Sequence, residues 1–251
     1  MDNQQYFLSI DNGTQSVRAM VFDAQGQLIA KSKIDIEPYF SDQPGWAEQH
    51  ADYFWDALCK ACQALWPLLP IPKESIAAVS VTTQRATAIA MGADNQPLRP
   101  AISWLDQRQV ETKPALGALE SALFTLVGAK PLADLMHKQA EANWIAQNEP
   151  NIWDKVHKFV LLSGYHNYKL TGEYKDAIAS TVGFLPFDYK TQQWADKKDW
   201  KWRAMPITQE MLPEVLPAGA ELGRITLQAA TETGIPNGLP LIASGSDKAC
   251  E

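Results

Sequence analysis

A carboxylate followed by a glycine and two hydroxyl groups stands near the start of the chain. The apolar, β-prone residues 7–10 lead directly into Asp11, and Gly13, Thr14 and Ser16 follow it. A glycine-containing turn at the end of a strand can direct backbone N–H groups at a phosphate, and the hydroxyl groups add hydrogen bonds. The carboxylate suits Mg²⁺, which usually keeps several waters when a protein binds it. The same composition also suits a plain β-turn between two strands, so this segment alone leaves both interpretations open.

A second carboxylate, Asp247, lies at the other end of the chain. It follows the apolar run 239–244, and open α/β sheets hold their ligands at the carboxyl ends of strands. Phosphoryl transfer to an alcohol needs a carboxylate that orients the hydroxyl and accepts its proton, together with cations that take the phosphate charge. Asp11 and Asp247 fit these two requirements, and Arg18 has the planar guanidinium that suits phosphate oxygens. The alternatives are a helix N-cap or turn residue for Asp247 and a solvated strand residue for Arg18.

The elements that must position these carboxylates follow from hydrophobic periodicity. Runs of β-prone residues predict strands, and apolar residues at three- and four-residue steps predict helices. The predicted strands are 6–10, 16–23, 28–36, 76–82, 86–91, 100–104, 222–225 and 239–244. The predicted helices are 50–66, 116–127, 139–147, 153–169 and 226–233. Residues 181–216, which are rich in proline and tryptophan, are predicted to be irregular.

The order of these elements indicates one mixed α/β domain. An antiparallel strand meander comes first, then a helix, then further strand and helix pairs, with a helical insertion from residue 107 to about residue 170. No internal repeat, low-complexity tract or interdomain linker is evident in the sequence. This layout resembles the ribonuclease-H-like fold of sugar kinases and actin, so we expect an α/β fold with a mixed sheet.

Composition argues against several classes of partner. The formal net charge is -7 without long runs of one sign, whereas binding to nucleic acid or to an anionic membrane normally needs a clustered basic face. The start of the chain lacks the features of a signal peptide, and no apolar run is long enough to span a membrane, so we expect a cytoplasmic protein.

Cysteine and histidine spacings do not indicate a metal site. Cys59 and Cys62 form a C-x-x-C inside a predicted helix with no second ligand pair nearby, so we expect them to be packing residues of the core. The histidines also lack metal-ligand spacing, and we expect each to be a surface or capped residue. They are His50, His137, His157 and His166.

Several segments, taken in order, resemble the FGGY family of carbohydrate kinases, which includes glycerol kinase, xylulokinase and ribulokinase. They are similar to the family's opening phosphate motif, its glycine-tryptophan-x-glutamate segment, its substrate-side pair and its catalytic segment. They are residues 10–19 (IDNGTQSVRA), 45–49 (GWAEQ) with Trp55, 83–87 (TQRAT) with 100–108 (PAISWLDQR), and 244–247 (SGSD). The resemblance spans essentially the whole chain, and the shared order of the segments is far more specific than any one of them.

The resemblance implies roles for the matching residues. Asp247 is expected to be the base that activates the acceptor hydroxyl, and Asp11 to help organise Mg²⁺ beside ATP. The residues expected to bind the nucleotide phosphates are Asp11, Gly13, Thr14, Gln15, Ser16 and Arg18. The residues expected to bind the sugar or polyol are Arg85, Trp104, Asp106 and Lys248. Arg85 would hydrogen-bond the acceptor hydroxyls, and Trp104 would lay its ring against the carbon skeleton.

The chain departs from the family's glycerol kinases at the acceptor side. Where they follow their arginine with a substrate-binding glutamate, this chain has Ala86, and residues 131–138 contain no clear tyrosine equivalent. A pocket without that carboxylate has more room, which favours a pentulose or a four- or five-carbon polyol over glycerol. Because Arg85 does not match the xylulokinases well either, the resemblance does not name the acceptor.

The resemblance also implies a domain organisation. Residues 1–251 correspond to the family's amino-terminal domain, which holds the sugar and the catalytic base, and the ATP-binding carboxy-terminal domain is expected to lie outside this chain. Catalysis in the family occurs in the cleft between two lobes that close. We therefore expect residues 1–251 alone to fold but not to turn over.

Two other classes of protein are compatible with this fold. A non-catalytic sugar-binding or regulatory protein has no chemical need for both Asp11 and Asp247. An actin-like ATPase module has no need for Arg85 and Trp104 beside the base. These residues favour ATP-dependent phosphorylation of a small sugar or polyol, while the oligomeric state, a homo-oligomer included, is left open by the sequence.

Overall fold

A computed structural model describes residues 5–110, 117–126 and 130–245. The strands, in chain order, are β1 (Tyr6–Asn12), β2 (Ser16–Asp23), β3 (Leu28–Asp35), β4 (Glu48–Gln49), β5 (Ile76–Thr83), β6 (Ala88–Met91), β7 (Ala101–Ile102), β8 (Lys158–Leu161), β9 (Lys175–Ala177), β10 (Phe187–Asp188), β11 (Gln193–Trp194), β12 (Glu214–Leu216), β13 (Glu221–Arg224) and β14 (Pro240–Ile242). The helices are α1 (Ala51–Leu65), α2 (Ala118–Leu126), α3 (Lys130–Gln139), α4 (Glu141–Asn148), α5 (Pro150–Trp153), α6 (Leu162–Thr171), α7 (Lys201–Ala204) and α8 (Leu227–Thr233).

A six-stranded mixed sheet forms the centre of the fold, in the order β13-β14-β5-β1-β2-β3. β1, β2 and β3 are antiparallel neighbours, which confirms the predicted meander. β1 and β14 both run parallel to β5. The carboxyl ends of β1, β5 and β14 therefore meet at one edge of the sheet, which is where open α/β sheets bind their ligands.

A smaller antiparallel sheet has the order β4-β7-β6-β8. β6 follows β5 along the chain, so residues 84–87 link the two sheets. The predicted substrate-binding Arg85 and its neighbour Ala86 lie in this link.

The described residues form two hydrophobic cores, and the smaller sheet contributes buried residues to both, for example Val160 to one and Phe159 to the other. In the larger core, α1, α6 and α8 contribute buried residues together with the central sheet, and Leu8 and Phe54 belong to it. The second core includes Ile102 and Phe159 from the smaller sheet and Trp144 from α4.

Helix α1 confirms a prediction made from apolar spacing. Phe54, Leu58, Ala61 and Leu65 recur at three- and four-residue steps, and all are buried in the larger core. Pro67 lies in the short 3-10 turn that follows, and α1 ends at Leu65, two residues before it.

Cys59 and Cys62 are buried in the larger core, as expected for packing residues. Burial raises the pKa of both thiols, that of Cys59 to about 12, so neither is a reactive thiolate at neutral pH. Within the described ranges, no group of three or more His, Cys, Asp or Glu side chains is arranged to hold a metal ion.

The predicted helix over residues 153–169 is wrong. The segment contains the end of α5, then strand β8, and then most of α6. β8 pairs with β6, and its residues Phe159 and Val160 are buried. A short apolar run has a similar pattern in a buried strand and in a helix, and here the neighbouring strand β6 decides between them.

The segment predicted to be irregular contains only short elements. Residues 181–216 hold β10, β11, α7 and β12, none longer than four residues. In the part of the chain that the structure describes, no helix has the length and apolar character that crossing a membrane requires.

Candidate active site

The candidate active site lies at the edge where β1, β5 and β14 end. Asn12 and Thr83 are the last residues of β1 and β5, and they are register partners in the parallel pair. The N–H of Gln84 donates to the carbonyl of Asn12 at 2.9 Å. Ser244 Oγ, just beyond β14, donates to the carbonyl of Val81 at 2.6 Å. These bonds hold together the segments that follow the three strands.

Asp247 and Lys248 lie outside the described residues. Asp247 comes three positions after Ser244 in the sequence, and Ser244 is fixed at the sheet edge. The assignment of Asp247 as base and of Lys248 as an acceptor contact therefore stays a prediction.

The turn between β1 and β2 lines an open depression of about 710 Å³. The N–H of Gly13 donates to the carbonyl of Ser16 at 3.1 Å, which closes the turn. All of the predicted phosphate-binding residues except Asp11 line the depression. Those that line the depression are Gly13, Thr14, Gln15, Ser16 and Arg18. Lys33 of β3 adds a second cation to the lining, and it pairs with Asp35 at 2.6 Å.

Asp11 and Arg18 form an ion pair across β1 and β2. Arg18 Nη1 donates to Asp11 Oδ2 at 2.7 Å, and Thr82 Oγ1 donates to Asp11 Oδ1 at 3.3 Å. The side chains of Arg18 and Asp11 keep 42% and 21% of their surface exposed. A pair this exposed contributes about 0–1 kcal/mol, so a phosphate or a divalent cation can compete for either partner. The predicted metal carboxylate and the predicted phosphate-binding guanidinium are thus direct neighbours.

Trp104 connects the depression with a second cavity. Its indole Nε1–H lies 3.2 Å from both Thr14 Oγ1 and Gln84 Oε1, each of which can accept its proton. The ring is 45% exposed, and it lines both the depression and a cavity of about 510 Å³. A ligand that extends from the turn between β1 and β2, the predicted phosphate turn, into this cavity therefore passes the indole ring.

The second cavity is lined mainly by polar side chains, both charged and uncharged. Ser103, Gln107, Gln109 and Gln139 contribute hydroxyl and amide groups, whereas Ala86 contributes only a methyl group. Ala86 has a φ of +50°, a left-handed conformation that is uncommon for a residue other than glycine. The cavity volume lies in the range of small-molecule sites, about 300–1,000 Å³.

Arg85 belongs to neither lining among the described residues. Its side chain is half-buried in the link between the two sheets. Within the described part of the chain it has no hydrogen-bond or ion-pair partner, so its guanidinium is available to a ligand. Its contact with acceptor hydroxyls stays a prediction.

Asp106 lines the second cavity, but other groups of the protein already occupy its carboxylate. Oδ2 accepts the N–H of Ala47 and a proton of Arg108 Nη2, both at 2.7 Å. Oδ1 accepts the N–H and the Nε–H of Arg108, both at 2.8 Å. These bonds fix the segment that carries Trp104, and a contact between Asp106 and the acceptor stays a prediction.

The residues before α1 support the same segment. The guanidinium of Arg108 contacts two indole rings, 4.1 Å from the centroid of Trp46 and 4.5 Å from that of Trp144. Glu48 pairs with Arg108 at 2.7 Å and also with Arg99. A buried charge that loses its partner is strongly destabilising. Removal of any one charged group of this network should therefore disturb the segment that carries Trp104 and Asp106.

A buried histidine lies behind the phosphate turn. His166 Nε2 is 2.8 Å from Asn12 Oδ1, and both residues are fully buried. Burial, and to a smaller extent the charge of Lys169, lowers the pKa of His166 to about 3, so the ring is neutral near pH 7 and Nε2–H donates to Asn12. Asn12 Nδ2 donates in turn to the carbonyl of Gly13 at 3.1 Å. The expectation that every histidine is a surface or capped residue is therefore wrong for His166.

Sequence reasoning missed several residues of this site. Gln84 lies inside a segment that resembles the family, and that position was the one signal for its contact with Trp104. His166 and Glu141 carry no such signal, because both come from helices far along the chain and reach the site only through the fold.

Comparisons with known proteins show which family of proteins this chain is similar to. The profile of the FGGY family of carbohydrate kinases, N-terminal domain, matches residues 6–250. The uncharacterized sugar kinase YgcE of Escherichia coli (strain K12) is 29% identical over 249 residues, which are 99% of this chain and 43% of that protein. A glycerol kinase of Ectopseudomonas mendocina (strain ymp) is 30% identical over 227 residues, which are 87% of this chain and 45% of that protein.

A solved structure shows the same fold. The gluconate kinase from Lactobacillus acidophilus superposes with a TM-score of 0.78 at 19% identity, over 97% of this chain and 48% of that one. The predicted α/β fold of the sugar-kinase and actin type is thereby confirmed. The chain spans less than half of the length of these relatives.

Proposed function

This chain belongs to the FGGY family of carbohydrate kinases, and from that premise we propose that the protein transfers the γ-phosphoryl group of ATP to a hydroxyl of a small sugar or polyol. The position of Trp104 carries the proposal, because it joins the depression at the phosphate turn to a cavity lined mainly by polar groups. One region suits phosphates and the other suits a molecule rich in hydroxyl groups. A transfer between the two needs both regions side by side.

At the phosphate end, the turn supplies donors to the nucleotide. The hydroxyl groups of Thr14 and Ser16 and the guanidinium of Arg18 bind phosphate oxygens in this proposal. The donor set also fits Mg²⁺, since Asp11 stands beside the turn and this ion commonly takes one or two carboxylates together with waters and phosphate oxygens. When bound, Mg²⁺ neutralises the charge that develops on the phosphates.

At the acceptor end, Asp247 accepts the proton of the attacking hydroxyl. A carboxylate in this role orients the hydroxyl as well as removing its proton. Trp104 packs against the carbon skeleton, and the unpaired guanidinium of Arg85 donates to acceptor oxygens. The hydrogen bonds of Trp104 to Thr14 and Gln84 hold the ring in one orientation for this contact.

We favour a pentulose or a four- or five-carbon polyol over glycerol as the acceptor. Ala86 places only a methyl group in the wall of the cavity, and about 510 Å³ of space stands beside it. One relative is named a glycerol kinase and another is named only a sugar kinase, so these names do not identify the acceptor. The proposal also includes a carboxy-terminal domain that binds the adenosine moiety and closes over the site.

The test is an acceptor panel with the full-length gene product, ATP and Mg²⁺. Initial rates of ADP release are measured with glycerol, erythritol, ribitol, xylulose and ribulose. We expect activity with one of the longer acceptors, and Asp247→Asn should lower kcat by at least about 100-fold because general base catalysis contributes that much or more. Asp154→Asn, a change at an exposed aspartate remote from the cavities, is the matched control and should leave kcat within about twofold.

Two outcomes would contradict the proposal. Sugar binding without any ADP release would favour a sugar-binding regulatory protein. ADP release that needs no acceptor and is unchanged in Asp247→Asn would favour an ATPase.

A further inference from the structure

Glu141 is a carboxyl group of the second cavity that the proposed mechanism does not use. It is the first residue of α4, and it lines the cavity together with Ala86 and Trp104. Within the described part of the chain, no cation pairs with its carboxyl group. Burying a carboxyl group without such a partner is unfavourable, so a group of this kind in a cavity wall is suited to a ligand.

The other charges at the cavity are neutralised within the protein. Arg108 pairs with Asp106 and with Glu48, both at 2.7 Å. The oxygens of Asp106 already accept four hydrogen bonds. Among the described lining residues, Glu141 is therefore the ionisable group left free for a ligand.

The environment of Glu141 also suits a hydroxyl-bearing ligand. Burial, and to a smaller extent the charge of Asp106, raises the pKa of Glu141 to about 7. Near neutral pH the carboxyl group is thus populated both as an acceptor and as a donor of hydrogen bonds. Hydroxyl groups can satisfy either form, whereas a carboxylate ligand would meet the negative charge of ionised Glu141.

The position of Glu141 separates it from the reacting end of the acceptor. Trp104 lines both the cavity of Glu141 and the depression at the phosphate turn, and its indole N–H contacts Thr14 of that turn. The phosphorylated hydroxyl must lie toward the turn. A group that binds Glu141 therefore belongs to the part of the acceptor beyond the indole ring.

We propose that Glu141 is a specificity-determining residue of the acceptor site: it binds a hydroxyl group remote from the phosphorylated one, and it selects uncharged polyols and sugars over sugar acids. The inference rests on the proposed kinase function. It goes beyond that function because it names Glu141 as the group that recognises the acceptor and excludes sugar acids as acceptors. On this proposal, acceptors with three carbons do not extend from the phosphate turn as far as Glu141.

The test uses the full-length gene product and its Glu141→Gln variant. For the best uncharged acceptor, we expect kcat/KM to fall about ten- to a hundredfold, mainly through KM, because a charge-assisted hydrogen bond is lost. Rates with glycerol and the KM for ATP should change less than about threefold. The exposed Glu74→Gln, in a segment remote from the cavity, is the matched control and should change none of these values.

A second variant tests the selectivity. Glu141→Lys should raise the ratio of kcat/KM for a sugar acid to that for the uncharged acceptor by at least about tenfold, because attraction replaces repulsion. Glu141→Asp, which keeps the charge and shortens the side chain, should lose activity with the long acceptor and keep it with glycerol. If Glu141→Gln and Glu141→Lys do not fold, this loss in Glu141→Asp still tests whether Glu141 binds the acceptor.

The outcomes separate this inference from the proposed function. A wild-type kinase whose Glu141 variants keep the same acceptor preference would overturn the inference alone. If no acceptor is phosphorylated, calorimetric titration with erythritol, ribitol and the pentuloses still decides, since weaker binding in Glu141→Gln would support the recognition role. Absence of binding and of turnover in the wild type would overturn both.

Discussion

Trp104 illustrates how single residues connect the two halves of the candidate site. One indole N–H lies within hydrogen-bond distance of a hydroxyl of the phosphate turn and of the amide oxygen of Gln84, so the ring orientation depends on both segments. The ring is partly exposed and contributes little to the core. In the proposed mechanism this exposed ring is the surface that contacts the acceptor.

Gly13 offers a test of the phosphate turn that does not disturb the fold. Among the described residues, a Cβ at this position would meet only the carbonyl oxygen of Ser16, at 3.6 Å, which is an ordinary contact. We expect Gly13→Ala to change the free energy of unfolding by less than about 1 kcal/mol. Because Gly13 lines the depression, the added methyl group should raise the KM for ATP at least about tenfold. Steady-state kinetics and urea unfolding of the same variant check both statements, and an unchanged KM would argue against phosphate binding at this turn.

His166 should give the protein a stability that depends on pH. Its folded pKa of about 3 lies below the unfolded value of 6.5, so the contribution is complete above pH 6.5 and falls as the pH drops from 6.5 toward 3. Between pH 7.5 and 5.0 the free energy of unfolding should fall by about 2 kcal/mol more in the wild type than in His166→Gln, which keeps an uncharged donor toward Asn12.

The comparison between wild type and variant is needed because other groups act in the opposite direction. Burial raises the pKa values of Asp176 and Glu141 to about 7, so their contributions are lost as the pH rises toward 7. Urea unfolding at both pH values measures the difference. Equal pH dependence in wild type and His166→Gln would show that the histidine is not held neutral.

At the scale of elements, the residue that follows α8 is packed so closely that a larger side chain would not fit there. Gly234 follows the helix with a φ of +76°, and a Cβ there would lie 2.5 Å from Trp66 Nε1. Gly238 has a similar φ of +80°, but no atom of the described residues lies within 4 Å of its Cβ position. We expect Gly234→Ala to lower the free energy of unfolding by about 2–4 kcal/mol and Gly238→Ala by about 1 kcal/mol. Urea unfolding followed by tryptophan fluorescence compares them, and equal losses would refute the packing argument.

Local sequence signals predicted the elements whose partners are close in the chain. The strands of the meander and helix α1 agree with the structure to within about one or two residues, because alternation, turn composition and Pro67 act locally. The strand β8 was read as helix, because its identity depends on pairing with β6 about seventy residues earlier.

At the scale of the whole molecule, the sequence predicted the phosphate turn but only part of the acceptor side. The turn residues are consecutive, so one motif specified them, and they line one depression in the structure. Gln139 and Glu141 join Ala86 and Trp104 in one cavity because the two sheets and α4 pack together, which no short motif encodes. Asp106 shows the converse, since a residue within a matching segment proves to be fully engaged by Ala47 and Arg108.

The proposed transfer requires the whole protein. The proposed site has its phosphate turn and acceptor cavity in this chain, whereas the adenosine moiety is assigned to a further domain that closes over them. On this account residues 1–251 alone bind the acceptor weakly and do not phosphorylate it.

The most direct test of the central claim is to identify the product of the full-length protein by phosphorus NMR. The protein is incubated with ATP, Mg²⁺ and each uncharged acceptor, and the spectra are compared with those of Asp247→Asn. The account predicts a phosphomonoester of one four- or five-carbon acceptor, formed in step with ADP and absent with the variant. Inorganic phosphate as the sole product, or a phosphomonoester that the variant forms equally fast, would contradict it.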